Sequence, residues 1–127
     1  MKLLLDACTF LWIMAGEAIS DKAAVAYRDP SNEVYLSAAS VWEITVKYQS
    51  GRLALPEPPD ILIPTERRLR GISALPIDEE SVYQLPKLPA HHRDPFDRIL
   101  VCQAVAHGLA ILTPDPLIRQ YPVRVIW

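Results

Sequence analysis

Short apolar runs alternate with longer helical stretches along this chain, and that alternation limits the fold more than any other feature. "KLLL" ends at Asp6 and reads as a buried strand. "TFLWIMAG" predicts a helix closed by Gly16, and "SDKAAVAYRDP" a second one with Ser20 as N-cap and Pro30 as the stop. "EVYLS" is strand-like. "SVWEITVKYQSG" predicts a helix with Ser40 as N-cap, Glu43 at the third position in capping-box spacing, and Gly51 as terminator. A helix around Ile61 to Arg70 follows, its start blurred by Pro64. "ISALPI" predicts a strand, and "DEESVYQL" a short helix with acids in its first turn. "DPFDRILVCQAVAHG" is the clearest helix, ending at Gly108, and "LAILT" and "VRVIW" supply the last strands.

Strands and helices in alternation predict an α/β domain with a mostly parallel sheet and right-handed crossovers. A length of 127 residues fits one domain, residues 1–127, and a half-hydrophobic composition is enough for a core of that size. The prolines of "LALPEPPDILIP" and "LPKLPA" read as ordered connections within it. Two distant cysteines, Cys8 and Cys102, suit a reducing cytoplasm better than a disulfide scaffold. No apolar run reaches the roughly 18 residues of a membrane span. The first residues resemble a signal peptide superficially, but Asp6 interrupts the apolar run, and "KLLLD" reads better as a strand.

In parallel sheets ligands bind beyond the carboxyl ends of the strands, where the strand order reverses. Asp6 ends the first strand and Asp115 follows "LAILT", so both acids belong on that rim. In "RDPFD", Asp94 before Pro95 has the form of an N-cap followed by proline at N1. Asp97 falls at N3, where the helix dipole favours an anion, which also suits a metal ligand. Glu43 is either the capping-box acid or a half-buried carboxylate in need of a partner. Asp6 is either the N-cap of a helix starting near Thr9 or a functional group, and Asp115 in "TPDP" could be a turn or cap residue. Together, four carboxylates at the ends of adjacent elements repel one another unless cations lie between them. Oxygen-only donors suit Mg²⁺ or Mn²⁺, ions that support hydrolysis at phosphorus.

Other features carry less. His91 and His92 lack CxxC or HExxH company, which argues against zinc. Cys8 reads as a small core residue rather than a nucleophile, and Trp12, Trp42 and Trp127 read as core or interface residues rather than base-stacking platforms. The net charge is −2. If Asp6, Glu43, Asp94, Asp97 and Asp115 face metal, the other ten acids stand against thirteen Lys and Arg, leaving about +3 for a phosphate backbone. Arg67, Arg68 and Arg70, with Arg93 and Arg98, are then candidate contacts, or simply solvated charge.

The segments "LLLDACTFLW", "SAASVWEITVKYQSGRLALP", "LPAHHRDPFDRILVCQA" and "LAILTPDPLIRQYPVRVIW" together closely resemble PIN-domain toxins of the VapC type, over nearly the whole chain and in order. The resemblance implies an α/β/α sandwich around a central parallel sheet. It also implies a Mg²⁺- or Mn²⁺-dependent endoribonuclease acting as the toxin of a type II toxin–antitoxin pair, neutralised by a cognate antitoxin and commonly dimeric. The family's acidic quartet falls on Asp6, Glu43, Asp97 and Asp115, with Asp94 as an accessory ligand. Thr113 matches the hydroxyl residue two before the last acid, placed to orient water or a carboxylate. Where related chains often read Asp-Thr-His after the first strand, this one reads Asp-Ala-Cys. Arg93 and Arg98 would hold RNA.

Two rival readings stand beside this one. "DACT" also resembles the opening of haloacid-dehalogenase phosphatases, but Cys8 occupies the place of their second acid, and the paired acids of a receiver domain are not evident. A non-catalytic RNA- or protein-binding module of the same fold is the other alternative.

Overall fold

Leu3, Leu4 and Leu5 are each fully buried. A strand with no polar face must be covered on both sides, and β1 (Lys2–Leu5) accordingly lies at the centre of a sheet. The computed structural model describes residues 1–127. The other strands are β2 (Glu33–Ser37), β3 (Ile72–Leu75), β4 (Ala110–Leu112) and β5 (Val125–Ile126), in the order β3-β2-β1-β4-β5. Every neighbouring pair is parallel, with Leu4 opposite Tyr35 on one side and Ile111 on the other. The helices are α1 (Ala7–Ala15), α2 (Asp21–Arg28), α3 (Ala38–Gln49), α4 (Pro59–Arg70), α5 (Glu79–Val82), α6 (Pro95–His107) and α7 (Pro116–Arg119).

Side chains alternate across the sheet. Leu3 and Leu5 pack with Phe10, Ile13, Ile44 and Ile63 from α1, α3 and α4. Leu4 faces the other way, into a layer with Leu100, Val101, Ile111 and Ile118 from α6, β4 and α7. The chain steps outward from β1 through β2 to β3, then returns to place β4 and β5 on the other side. The reversal lies between β1 and β4, and a crevice must open beyond their carboxyl ends. No helix is long and apolar enough to cross a membrane.

The main departure from the sequence reading is at α3. Ser37 is its N-cap, not Ser40. Strand β2 runs straight into the helix, and the Ser37 hydroxyl accepts the Ala39 N–H at 3.0 Å. The same hydroxyl donates to Gln103 Oε1 at 2.6 Å, and Gln103 Nε2 donates to the Pro76 carbonyl at 3.1 Å. A contact to a residue 66 positions away thus favours the earlier cap. Ser40 falls inside the buried first turn with its hydroxyl unpartnered, and Glu43 moves from a capping position to the second turn. Helix α4 begins earlier than expected, with Pro59 at its first position, and contains Pro64. Helix α7 was not anticipated; Asp115 and Pro116 start it as Asp94 and Pro95 start α6.

Helix α6 ends at Gly108, whose φ of 67° lies in the left-handed region. Gly108→Ala should therefore cost about 1–2 kcal/mol, read as a lower midpoint in urea unfolding with an unchanged slope.

Candidate active site

The chain leaves β1 at Asp6, and both carboxylate oxygens are used. Oδ1 accepts the Thr9 N–H at 2.8 Å and caps α1. Oδ2 accepts the Thr113 hydroxyl at 2.5 Å. The Thr113 oxygen also accepts the Asp115 N–H at 3.1 Å, so one hydroxyl joins the acids that follow β1 and β4. Thr9 donates its own hydroxyl to the Leu112 carbonyl at 3.0 Å, closing the same junction. Thr113 is fully buried and Asp6 is 7% exposed. Burial raises the Asp6 carboxyl above the ordinary range; the Thr113 and Thr9 hydrogen bonds oppose this, and the Asp115 charge adds to it.

Asp94 caps α6, its Oδ1 accepting the Phe96 and Asp97 N–H groups at 2.9 and 3.2 Å. That cap holds Asp97 on the first turn, with its Oδ2 at 3.2 Å from His92 Nε2. His92 Nδ1 lies 2.7 Å from the Tyr121 hydroxyl, to which Arg98 Nη1 donates at 3.0 Å. Arginine can only donate, so Tyr121 is free to give its own proton to Nδ1. The His92 hydrogen then sits on Nε2 and points at the Asp97 carboxylate. Burial, followed by the Asp94 charge, pushes the Asp97 carboxyl up to about 6, and the His92 hydrogen bond counters part of this.

Glu43 projects from α3 and pairs with Lys47 at 2.7 Å, four residues on. Asp6, Glu43, Asp94, Asp97 and Asp115 all line one cleft of about 260 Å³, with Lys47 among them. Five carboxylates against one lysine leave the cleft short of positive charge, and an all-oxygen donor set fits a hard divalent cation. Larger depressions of about 470, 460 and 380 Å³ lie elsewhere, and none of the three gathers more than two carboxylates. Asp78, Glu80 and His107 form a separate group with ligand atoms within 4.8 Å. It stands at the far end of α6 from Asp97, and its Asp78 is already engaged by His107 at 2.7 Å and by capping α5.

Several expectations change. Cys8 is exposed on the cleft wall, not in the core. Its thiol is pushed up to about 11 by desolvation and the Asp6 charge, so it stays protonated and a poor nucleophile. Trp12 and Trp127 pack together at 5.8 Å beside the core, as expected, whereas Trp42 is 58% exposed. Arg98, expected beside Arg93 as a substrate contact, turns Nη1 to the Pro89 carbonyl and Tyr121 hydroxyl instead. Arg93 is exposed just before α6. Arg67, Arg68 and Arg70 lie in the last turn of α4, which leads into the amino end of β3, whereas the cleft is at the carboxyl ends. His92 and Tyr121 escaped the sequence reading because 29 residues separate them. Lys47 also escaped it, although Glu followed by Lys four residues later is the spacing of a helix ion pair.

His92→Phe keeps a ring against Tyr121 but removes the hydrogen bond to Asp97. If Asp97 serves the reaction, activity should fall about 10–100-fold, and the Asp97 carboxyl should titrate higher by NMR. An unmoved carboxyl titration would show that His92 does not orient Asp97.

A model of the PIN domain family matches residues 3–123. The chain belongs to the PIN domain family. Ribonuclease VapC16 of Mycobacterium tuberculosis is 38% identical to it over 65 residues, which cover 51% of this chain and 45% of that protein. The match thus spans less than half the length of that curated relative. VapBC2 from Rickettsia felis, solved with a DNA fragment from its promoter, superposes with a TM-score of 0.71 at 10% identity, covering 98% of this PIN chain and 97% of that one. DNA-bound VapBC from Salmonella typhimurium gives 0.69 at 15% identity, over 98% and 96%. At these identities the likeness is one of fold: the α/β/α sandwich with a parallel sheet is the PIN architecture.

Proposed function

We propose that residues 1–127 act as one domain, a metal-dependent endoribonuclease that serves as the toxin of a type II toxin–antitoxin pair. The observation that carries this reading is the convergence of Asp6, Glu43, Asp97 and Asp115, with Asp94, in one cleft at the strand-order reversal. Membership of the PIN family and a relative named as a ribonuclease support it. Asp6, Asp97 and Asp115 are the ligands for Mg²⁺ or Mn²⁺, with Glu43 completing the site and Asp94 accessory to it. The bound ion supplies Lewis acidity and positive charge for hydrolysis of a phosphodiester. The protein's own part is positional: Thr113 fixes Asp6, His92 fixes Asp97, Glu43 orients the attacking water, and Arg93 holds the RNA backbone.

The partners that follow are RNA, a cognate antitoxin that covers the cleft, and a second copy of the chain in a homodimer. The likeness in fold to the VapBC structures supports the antitoxin. Action in the cytoplasm suits two unpaired thiols.

Purified protein should cut RNA with Mg²⁺ or Mn²⁺ and stop cutting in EDTA. Induction without antitoxin should arrest growth, and sequencing of RNA ends after brief induction should show recurrent new 5′ ends. Soluble protein that binds Mn²⁺ in no Asp97-dependent way and leaves RNA intact would favour the non-catalytic module.

A further inference from the structure

We propose that Trp42, backed by Phe96, is a stacking platform for the nucleobase beside the phosphate that is cut. This rests on the ribonuclease reading and adds a substrate contact to it. A tryptophan 58% exposed leaves a large apolar ring in water. Its ring meets Phe96 edge-to-face, with centroids 4.9 Å apart and planes at 84°. That contact fixes the orientation of Trp42 while leaving much of the ring open.

The pair bridges α3 and the first turn of α6. Trp42 immediately precedes Glu43, and Phe96 immediately precedes Asp97; both carboxylates line the cleft. Adjacent residues have Cα atoms about 3.8 Å apart. Neither ring lines the cleft itself; the pair lies just outside it, where α3 and α6, the two helices that carry Glu43 and Asp97, meet. Lys47, paired with Glu43, lies inside the cleft, and exposed Arg93 stands beside Asp94, so cations for phosphate belong to the same pair of helices and the turn before α6. Fixed aromatic faces next to backbone-binding cations are how proteins hold single-stranded nucleic acid, and every base offers a π-face to them. A second protein surface fits less well. Charged Glu43 and Asp94 lie within two residues of the pair along the chain, and acidic residues are depleted from the cores of protein interfaces.

The test compares Trp42→Ala, Trp42→Tyr and the unmodified protein on a short RNA with a mapped cut site, and on the same RNA lacking the base beside that site. Trp42→Ala should raise KM about tenfold with kcat within about threefold, and Trp42→Tyr should recover most of the loss. The abasic RNA should cost the unmodified protein about the same and cost Trp42→Ala almost nothing more. An unchanged KM in Trp42→Ala, or fully additive losses, would overturn the platform alone. So would a loss that tracks dimer dissociation in sedimentation and disappears at high protein concentration, since the ring would then serve a second copy of the chain. If the unmodified protein cuts no RNA with either metal, the ribonuclease reading fails and the platform falls with it.

Discussion

Asp97→Asn is expected to lower RNA cleavage by at least about a hundredfold, the scale for losing one group that stabilises charge in a transition state, while making the metal-free protein more stable. The two effects share a cause. Burial and the Asp94 charge push the Asp97 carboxyl up to about 6 from an ordinary 3.8. Between those values the folded protein binds more protons than the unfolded chain, so stability falls as pH rises through about 6. At pH 7 the ionised group is a net burden unless a cation offsets it. Asparagine removes the burden and still accepts from His92. The gain should be on the order of 1–2 kcal/mol, a figure discounted for screening in an open cleft. Metal binding carries the opposite sign: the ion needs the anion, so Mn²⁺ affinity should rise with pH and level off above about 6. Calorimetry of both proteins at pH 5 and pH 7 reads all of this. Equal Mn²⁺ affinity in the variant would remove Asp97 from the ligand set.

Thr113→Val should damage both stability and activity, although it preserves shape. The hydroxyl is fully buried, donates to Asp6 Oδ2 and accepts the Asp115 N–H. Its loss leaves a buried carboxylate oxygen and a backbone N–H without partners at once. Hydrogen bonds to charged groups contribute about 1.5–3 kcal/mol, and outer partners of metal ligands typically contribute 10–100-fold in affinity or activity. The Thr113 bond lowers the Asp6 carboxyl, so the variant should hold the Asp6 proton to higher pH. The activity-versus-pH curve should shift upward. An unmoved curve with full activity would show that Thr113 is not needed to hold Asp6.

Much of the candidate site was legible because the acids that punctuate helices are the ones the fold gathers in the cleft. Asp94 and Pro95 start α6 as their sequence predicts, and that start holds Asp97 one turn in. The capping box at Ser40 and Glu43 misled, because local spacing cannot register that Gln103 engages Ser37. Trp42 misled for a related reason. Apolar character does not reveal which side of a helix meets the core, and on α3 Ile44 takes that place.

The sequence by itself determined the alternation of elements and the helix ends at Gly16 and Gly108, and it singled out the acids that the fold gathers in one cleft. These depend on backbone sterics and on the need of clustered carboxylates for cations, which act over a few residues or follow from composition. Tertiary structure decided the rest: the strand order that puts Asp6 beside Asp115, the Thr113 bridge between them, and the Arg98–Tyr121–His92 chain that aims at Asp97. Asp6 and Thr113 are 107 residues apart and His92 and Tyr121 29 apart, and it is the pairing of β4 with β1 and the packing of α6 and α7 on the sheet that bring them within hydrogen-bonding distance.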